Sequence, residues 1–414
     1  MRPLHIAFFN RAFYPEVSAT GQLLTELAQG LVKEHGCRVS VVAGFPQGQT
    51  HGVWIPPKGR RLVLSESLGQ ISILRARGTT WSKRTFVGRV MNYLTYFSSA
   101  CLAGLQLERP DLVIALTDPP VIGLAGLLAA RRFRCPLVIS YRDLFPEVAR
   151  LLDNFQNPLV EQVLHRVNRI LIRSSVRIIA LGEAMRARLI EEKKADPQKV
   201  VVIPDWADGD LIVPGPKRNP FSLTHGLADR FVVMHSGNMG VSQNLEVLLR
   251  ATMELRDLAD LTVVFMGDGV RKASLQEQAT ARGLKNVMFL PYQPKENLTE
   301  AFASADCFVI SLKPGLAGYI MPSKLYGILA AGRPYVAAVD DDCDVAGITH
   351  RYRCGLLAPP GNPERLAQQV RILYQDRSLV RQLGENARQA FGAFDRAKGV
   401  RSYFNLCLEL CNTK

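Results

Sequence analysis

Short apolar runs recur along the whole chain, each followed by a stretch of helix length, and that rhythm leaves few folds open. In the first half the runs cover residues 4–9, 38–43, 111–116, 136–141, 177–181 and 200–203. After residues tied to turns and linkers (Pro204, Pro214, Gly215, Pro216 and Pro220) the rhythm restarts at 231–236, 261–266, 287–290, 307–312, 335–339 and 355–357. Strands that are apolar on both faces and alternate with helices predict parallel sheets covered on each side, the doubly wound α/β class. Two such series predict two Rossmann-like domains with a ligand cleft between their strand ends. The boundaries expected are 1–210, 211–385 and a C-terminal helical segment, 386–414, that packs back across the domain junction.

Composition narrows the class. With 414 residues, 47% hydrophobic and 21% charged, the chain is long enough for two or three separate cores and too apolar for disorder. Its net charge of +14 fits a phosphorylated ligand or an anionic surface. No basic low-complexity tail, zinc-finger spacing or aromatic RNA-binding run accompanies that charge, so nucleic acid is not the expected partner. The eight cysteines form no CxxC pair and fall in apolar patterns, as expected of free thiols in a reducing cytoplasm. The first strand begins within a few residues of Met1, with no signal-peptide pattern, and the apolar reach 112–130 is broken by Asp118-Pro119-Pro120. A cytoplasmic protein, peripheral at most on the inner face of the plasma membrane, is expected.

The stretch richest in chemistry is Met321-Pro322-Ser323-Lys324-Leu325-Tyr326-Gly327, continuing to Gly332-Arg333-Pro334. Pro322 suits the first turn of a helix, and Ser323 and Lys324 then bring amides, a hydroxyl and a cation together, a combination suited to phosphate. Gly332 and Pro334 end the helix. Elsewhere, 13–22 is a loop with small residues before a helix at 22–34, in which Leu23, Leu24, Leu27 and Leu31 take the buried side. It is not a GxGxxG fingerprint. Residues 47–60 are Gly- and Pro-rich loop. Residues 75–97 carry Arg75, Arg77, Trp81, Lys83, Arg84, Phe86 and Arg89, then Met91, Tyr93, Leu94, Tyr96 and Phe97. This reads either as an amphipathic helix for an anionic bilayer or as a core helix whose aromatics pack on the sheet beside an ordinary basic surface. Arg142-Asp143 leaves a strand end, where open α/β sheets place ligands.

Taken together, these pieces resemble a family 4 glycosyltransferase of the GT-B fold. The matching motifs are Phe13-Tyr14-Pro15-Glu16, Val202-Ile203-Pro204-Asp205, His235-Ser236-Gly237-Asn238-Met239-Gly240, Met266-Gly267-Asp268-Gly269 with Arg271, Val287-Met288-Phe289-Leu290, and Pro322-Ser323-Lys324-Leu325-Tyr326 with Leu329 to Pro334. The Pro-Ser-Lys form is similar to bacterial envelope and lipopolysaccharide members that move amino or deoxy sugars onto lipid-linked acceptors.

The resemblance implies a retaining, metal-independent transfer from a nucleotide-sugar, a UDP-sugar first among the donors, to a lipid-linked or glycan acceptor, with no cofactor. It places Lys324, Asp143 and Arg271 in catalytic roles. Gly21, Gly237, Asn238, Gly267, Gly269, Ser323, Lys324 and Leu325 are placed against the donor. Two glutamates that many members carry are replaced here by Tyr319 and Gly327, and a His–Asp pair by Arg142-Asp143. A nucleotide-sugar epimerase and a non-catalytic polysaccharide assembly protein are the alternatives. The first would need cleft carboxylates to move a proton, and the second would bind no donor or transfer no sugar. A dinucleotide-dependent dehydrogenase lacks its glycine fingerprint.

Overall fold

The computed structural model describes residues 2–46, 50, 54, 61–81, 86–152 and 157–412. The chain divides into two compact units, Met1–Pro204 with Ala397–Lys414, and Asp205–Arg396.

Unit 1 is built on eight strands: β1 (His5–Phe9), β2 (Arg38–Gly44), β3 (Val63–Leu68), β4 (Ile71–Ala76), β5 (Leu112–Leu116), β6 (Leu137–Ser140), β7 (Arg177–Ala180) and β8 (Val200–Val202). Its helices are α1 (Ala19–His35), α2 (Phe86–Leu105), α3 (Ile122–Phe133), α4 (Glu147–Leu151), α5 (Pro158–Ser174) and α6 (Glu183–Glu191). The strand order is β3-β4-β2-β1-β5-β6-β7-β8, parallel except for the β3–β4 hairpin. Chain direction therefore reverses its march across the sheet between β1 and β5, and the loops after those strands diverge there.

Unit 2 holds β9 (Phe231–Ser236), β10 (Leu261–Met266), β11 (Val287–Leu290), β12 (Cys307–Ser311), β13 (Tyr335–Ala338) and β14 (Gly355–Ala358). Around them lie α7 (Pro220–Thr224), α8 (Glu246–Met253), α9 (Lys272–Ala281), α10 (Leu298–Ala303), α11 (Lys324–Ala330), α12 (Asp344–Tyr352), α13 (Pro363–Gln375) and α14 (Arg377–Phe391). The order β11-β10-β9-β12-β13-β14 is 3-2-1-4-5-6 in chain terms, all parallel, with its reversal between β9 and β12. Alternate residues of each strand enter opposite cores: Val232, Met234, Val264 and Phe308 on one face, Phe231, Val233, Val263 and Val309 on the other. Burial on both faces is why these strands read as continuous apolar runs.

The last helix, α15 (Arg396–Asn412), belongs to unit 1. Tyr403 shares a hydrogen bond with Ser140 of β6, and Phe404 stacks on His35 of α1 with ring centroids 4.0 Å apart. The helical tail is thus two helices, each with its own unit.

One sequence reading is corrected here. Residues 75–97 are not one amphipathic helix: Arg75 lies in β4, and α2 begins only at Phe86. Arg75 is buried, pairs with Glu66 at 2.9 Å, and donates to the carbonyls of Gly44 and Tyr14. Arg77 lies over the Phe45 ring and Tyr96 is buried, while Tyr93 and Leu94 are exposed. Lys83 and Arg84, and most of the 47–60 loop, fall outside the described residues.

Candidate active site

The loops leaving β9, β10 and β12 meet at the carboxyl end of the unit 2 sheet, and glycines let them meet. Gly267 has φ +142°, and a Cβ there would lie 2.0 Å from the Gly237 carbonyl oxygen. Gly269 has φ +155°, and its Cβ would lie 2.5 Å from the Met239 oxygen. Only glycine tolerates both the conformation and the contact. Backbone hydrogen bonds then seam the two loops: Gly237 N to Met266 O (2.9 Å), Met239 N to Asp268 O (2.7 Å) and Arg271 N to Met239 O (3.0 Å). Across the reversal point, Lys313 N donates to Ser242 O at 2.8 Å, tying the β12 loop to the β9 loop.

Into this seam comes Lys324. Its amine lies 3.3 Å from Nε2 and 3.4 Å from Nδ1 of His235, and its Cε is 3.7 Å from where a Cβ on Gly237 would stand. No carboxylate lies within ion-pair distance of it among the described residues, and the residue is only partly exposed. Burial therefore pushes its pKa down to about 7. His235 is fully buried and held well below the usual histidine range, by burial first and then by the Lys324 cation, against backbone hydrogen bonds at Asn238 and Val309. The imidazole is therefore neutral, and the Lys324 amine has no carboxylate to neutralise it among the described residues, while Lys272 donates to the Gly267 carbonyl of the same seam at 3.1 Å. Such a group suits an anionic ligand.

The other expected residues divide by geometry. Gly237, Asn238, Gly267, Gly269, Ser323 and Lys324 belong to these loops or to the start of α11. Ser323 makes no side-chain cap hydrogen bond. Arg271 opens α9, but its side chain is 45% exposed and its Nε lies 3.6 Å from Glu246. It is a partly neutralised cation at the rim.

Leu325 does not fit a binding role. Its side chain is buried in the core, and its amide already donates to Pro322 O at 3.1 Å. The replaced glutamates also have physical counterparts. A Cβ on Gly327 would stand 3.1 Å from the Phe302 ring and 3.5 Å from Ile212, so a longer side chain there would have to displace core. Tyr319 is buried.

Gly21 and Asp143 lie in unit 1. Gly21 sits in the first turn of α1, its amide donating to the capping Ser18 hydroxyl at 3.3 Å. A Cβ would come 2.9 Å from that oxygen and 3.3 Å from the Glu16 carbonyl, so a larger residue would have to shift the cap. Asp143 lies in the loop after β6, beside Arg142, whose amide donates to Thr117 Oγ1 at 2.9 Å.

The same sheet edge holds groups that sequence reasoning passed over. Arg11 forks onto Glu16 at 3.1 and 3.2 Å, and its amide donates to the Asp118 carbonyl at 2.9 Å. Burial pushes the Asp118 carboxyl above the usual range, opposed by Arg11 and Arg142 and reinforced by Glu16. The available signal was position, since Arg11 follows β1 by two residues and Asp118 follows β5 by two, at the reversal point of unit 1.

No group of three or more His, Cys, Asp or Glu side chains suited to a metal exists among the described residues. Nor is any described helix long and apolar enough to cross a membrane.

The family model of group 1 glycosyl transferases matches residues 224–390, and that of the glycosyl transferase 4-like domain matches residues 19–206. The probable glycosyltransferase WbjE of Pseudomonas aeruginosa is 26% identical over 64% of this chain and 66% of its own. The putative colanic acid biosynthesis glycosyl transferase WcaI of Escherichia coli is 26% identical over 97% of this chain and 99% of its own. Among solved structures, Anabaena HepE in complex with UDP superposes with a TM-score of 0.74 at 18% identity, covering 98% of this chain and all of that one. The lipopolysaccharide glycosyltransferase WaaG superposes with a TM-score of 0.66 at 15% identity, over 97% and 99% of the two chains.

The two family models, laid over two Rossmann-like units, make this a glycosyltransferase of the GT-B fold. The chain belongs to the family 4-like glycosyltransferases, among those related to bacterial envelope and lipopolysaccharide sugar transfer.

Proposed function

We propose that this enzyme transfers a sugar from a UDP-sugar to a lipid-linked or glycan acceptor in envelope polysaccharide synthesis, with retention at the anomeric carbon and without a metal. The amino and deoxy sugars are the donor sugars this reading favours. The observation that carries it is the unpaired Lys324 amine beside Gly237, at the reversal point of the unit 2 sheet. HepE, which shares the fold, binds UDP.

In this reading the glycine seam lets the diphosphate lie close to backbone amides, and Lys324 faces the oxygens that gain charge as the glycosidic bond breaks. A fixed cation in a site with little water stabilises that charge more than a solvated one would. His235, neutral and buried, fixes where the amine can go without competing for its proton. Arg271, at the rim, adds a weaker long-range attraction. Unit 1 takes the acceptor, with Asp143 at its sheet edge to contact the acceptor hydroxyl. Asp118, at that edge too, is a second carboxyl able to carry a proton.

Calorimetric titration of UDP, GDP, ADP and dTDP tests the donor assignment, with wild type and Lys324→Ala compared. UDP should bind best, and the variant should lose at least tenfold in affinity. A different preferred base would overturn the UDP assignment, and unchanged affinity in the variant would overturn the role of Lys324.

A further inference from the structure

The first half of helix α5 is only partly covered, Val160, Glu161 and Leu164 being half-buried. Asn157 caps it by accepting from the amides of Leu159 and Val160, and Pro158 occupies the first turn. Its buried residues are Val167, Asn168, Leu171 and Ile172, so none of the first nine is buried. Asn168 marks where the anchoring starts, donating to Phe145 O at 2.6 Å and accepting from the Tyr141 hydroxyl at 3.3 Å. Tyr141 and Phe145 both follow the last residue of β6, so the first half of α5 runs on past the carboxyl edge of the sheet.

The free side of α5 is not an ordinary polar surface. Leu159, Val163 and Ile170 are 72%, 54% and 44% exposed. Their spacing of four and seven residues puts them on one stripe. Arg166 and Arg173 border that stripe and Arg169 lies beyond it, all three exposed. The packed neighbour α3 adds exposed Leu128, Arg131 and Arg132. Glu161 is the one carboxylate on the two helices, and none of these arginines has a carboxylate partner among the described residues. An isolated exposed leucine means little. An apolar stripe bordered by unpaired arginines on the exposed side of a helix is the pattern of a segment lying in a bilayer interface, apolar side down and cations at the headgroups.

We infer that the exposed face of α5, with the adjoining end of α3, is the surface by which this enzyme docks on an anionic lipid bilayer. The charge selects the occupant: unpaired arginines repel a second copy of the same face but suit phosphate headgroups. This surface replaces residues 75–97 as the membrane-facing element, and it stands whatever nucleotide the enzyme uses.

Vesicle co-sedimentation of the full chain at physiological salt tests it, with phosphatidylglycerol-containing vesicles against phosphatidylcholine alone. Wild type should partition onto the anionic vesicles at least tenfold better. The triple variant Arg166→Gln, Arg169→Gln, Arg173→Gln should lose on the order of 100-fold, since each cation near such a surface contributes a several-fold factor. Leu159→Ser with Val163→Ser should lose about tenfold or more. An equal charge loss on unit 2, Arg218→Gln, Arg365→Gln and Arg381→Gln, should leave binding unchanged. Far-UV circular dichroism and melting temperature should not move in any of them, which separates lost docking from lost folding. Equal binding by the α5 variants, equal binding to both vesicles, or a wild-type dimer that the Leu159 and Val163 substitutions disperse would each overturn the inference.

Discussion

The Lys324 amine stands 3.3 Å from Nε2 of His235, two nitrogen groups that are 89 residues apart in the chain and that both ordinarily compete for protons. Burial settles the contest by depressing both, the histidine far below neutrality and the lysine to about 7. At neutral pH the empty site therefore holds a lysine near its midpoint, and a bound diphosphate should draw it to the charged form.

Proton uptake follows from that balance. Between pH 7 and 9 nucleotide binding should take up as much as one proton and weaken as pH rises, because the amine must be protonated to pair with the phosphates. The sign for folding is the opposite. The unfolded lysine keeps its proton to about 10.5 while the folded one loses it near 7, so the burial penalty is full below about 7 and eases as pH rises through that window. Titrations in buffers of different ionisation enthalpy measure the first effect. A proton count of zero in wild type, or one unchanged in Lys324→Met, would contradict it.

Turnover should depend on the position of that cation as well as its sign. Lys324→Ala should lower kcat by about 10²-fold or more, the scale of removing one preorganised donor. Lys324→Arg should recover little, because the broader guanidinium must fit against His235 and Gly237 in a space shaped by a slender amine. Steady-state kinetics on the three proteins would decide it, and full recovery by arginine would argue for a rim position instead.

The glycine seam makes a sharper steric prediction. Gly267→Ala adds a carbon where the Gly237 oxygen already is, at a φ of +142°, so it should cost about 2 kcal/mol or more and loosen nucleotide binding as the loops separate. Gly347→Ala, in α12 with nothing within 4 Å of the new carbon, should instead be neutral or stabilise by up to about 1 kcal/mol. Denaturant melts of both variants, side by side, distinguish packing from a general intolerance of substitution.

In unit 1, Lys193 pairs with Glu147 at 2.6 Å while both side chains are nearly excluded from solvent, and it also donates to the Phe145 carbonyl. Lys193→Met strands a buried carboxylate and should destabilise unit 1 by about 3–5 kcal/mol. The double variant Lys193→Met, Glu147→Leu should regain much of that. Thermal unfolding followed by calorimetry checks the recovery, and additive losses would mean that the pair is not a coupled unit.

What the sequence disclosed depends on where burial leaves a trace. The central strands were legible because both their faces are covered, so residues 231–234 are all apolar and Leu261–Met266 admits only Thr262 as a polar residue. The β3–β4 hairpin escaped notice because its edge strand is half exposed and because Arg75 looks like a surface cation until Glu66 is found beside it. Lys324 could be singled out from its helix-start context. Its contact with His235 could not, since only the pairing of β12 beside β9 brings positions 324 and 235 together. Leu325 turns into the core, which its place beside Lys324 did not disclose, because adjacency says nothing about which way the next side chain turns.

The chain enters unit 2 at Asp205 and leaves it at Arg396, and there the two crossings lie against each other, Ala207 N bonding Phe394 O and Arg396 N bonding Ala207 O. A segment whose ends meet behaves as a cassette: residues 205–396 could be cut out and a relative's counterpart spliced in through two neighbouring joints. The remainder, closed by α15, would keep its own termini and its own core. Evolution has the same option open to it, so the specificity of one unit can be recombined while the other is inherited intact.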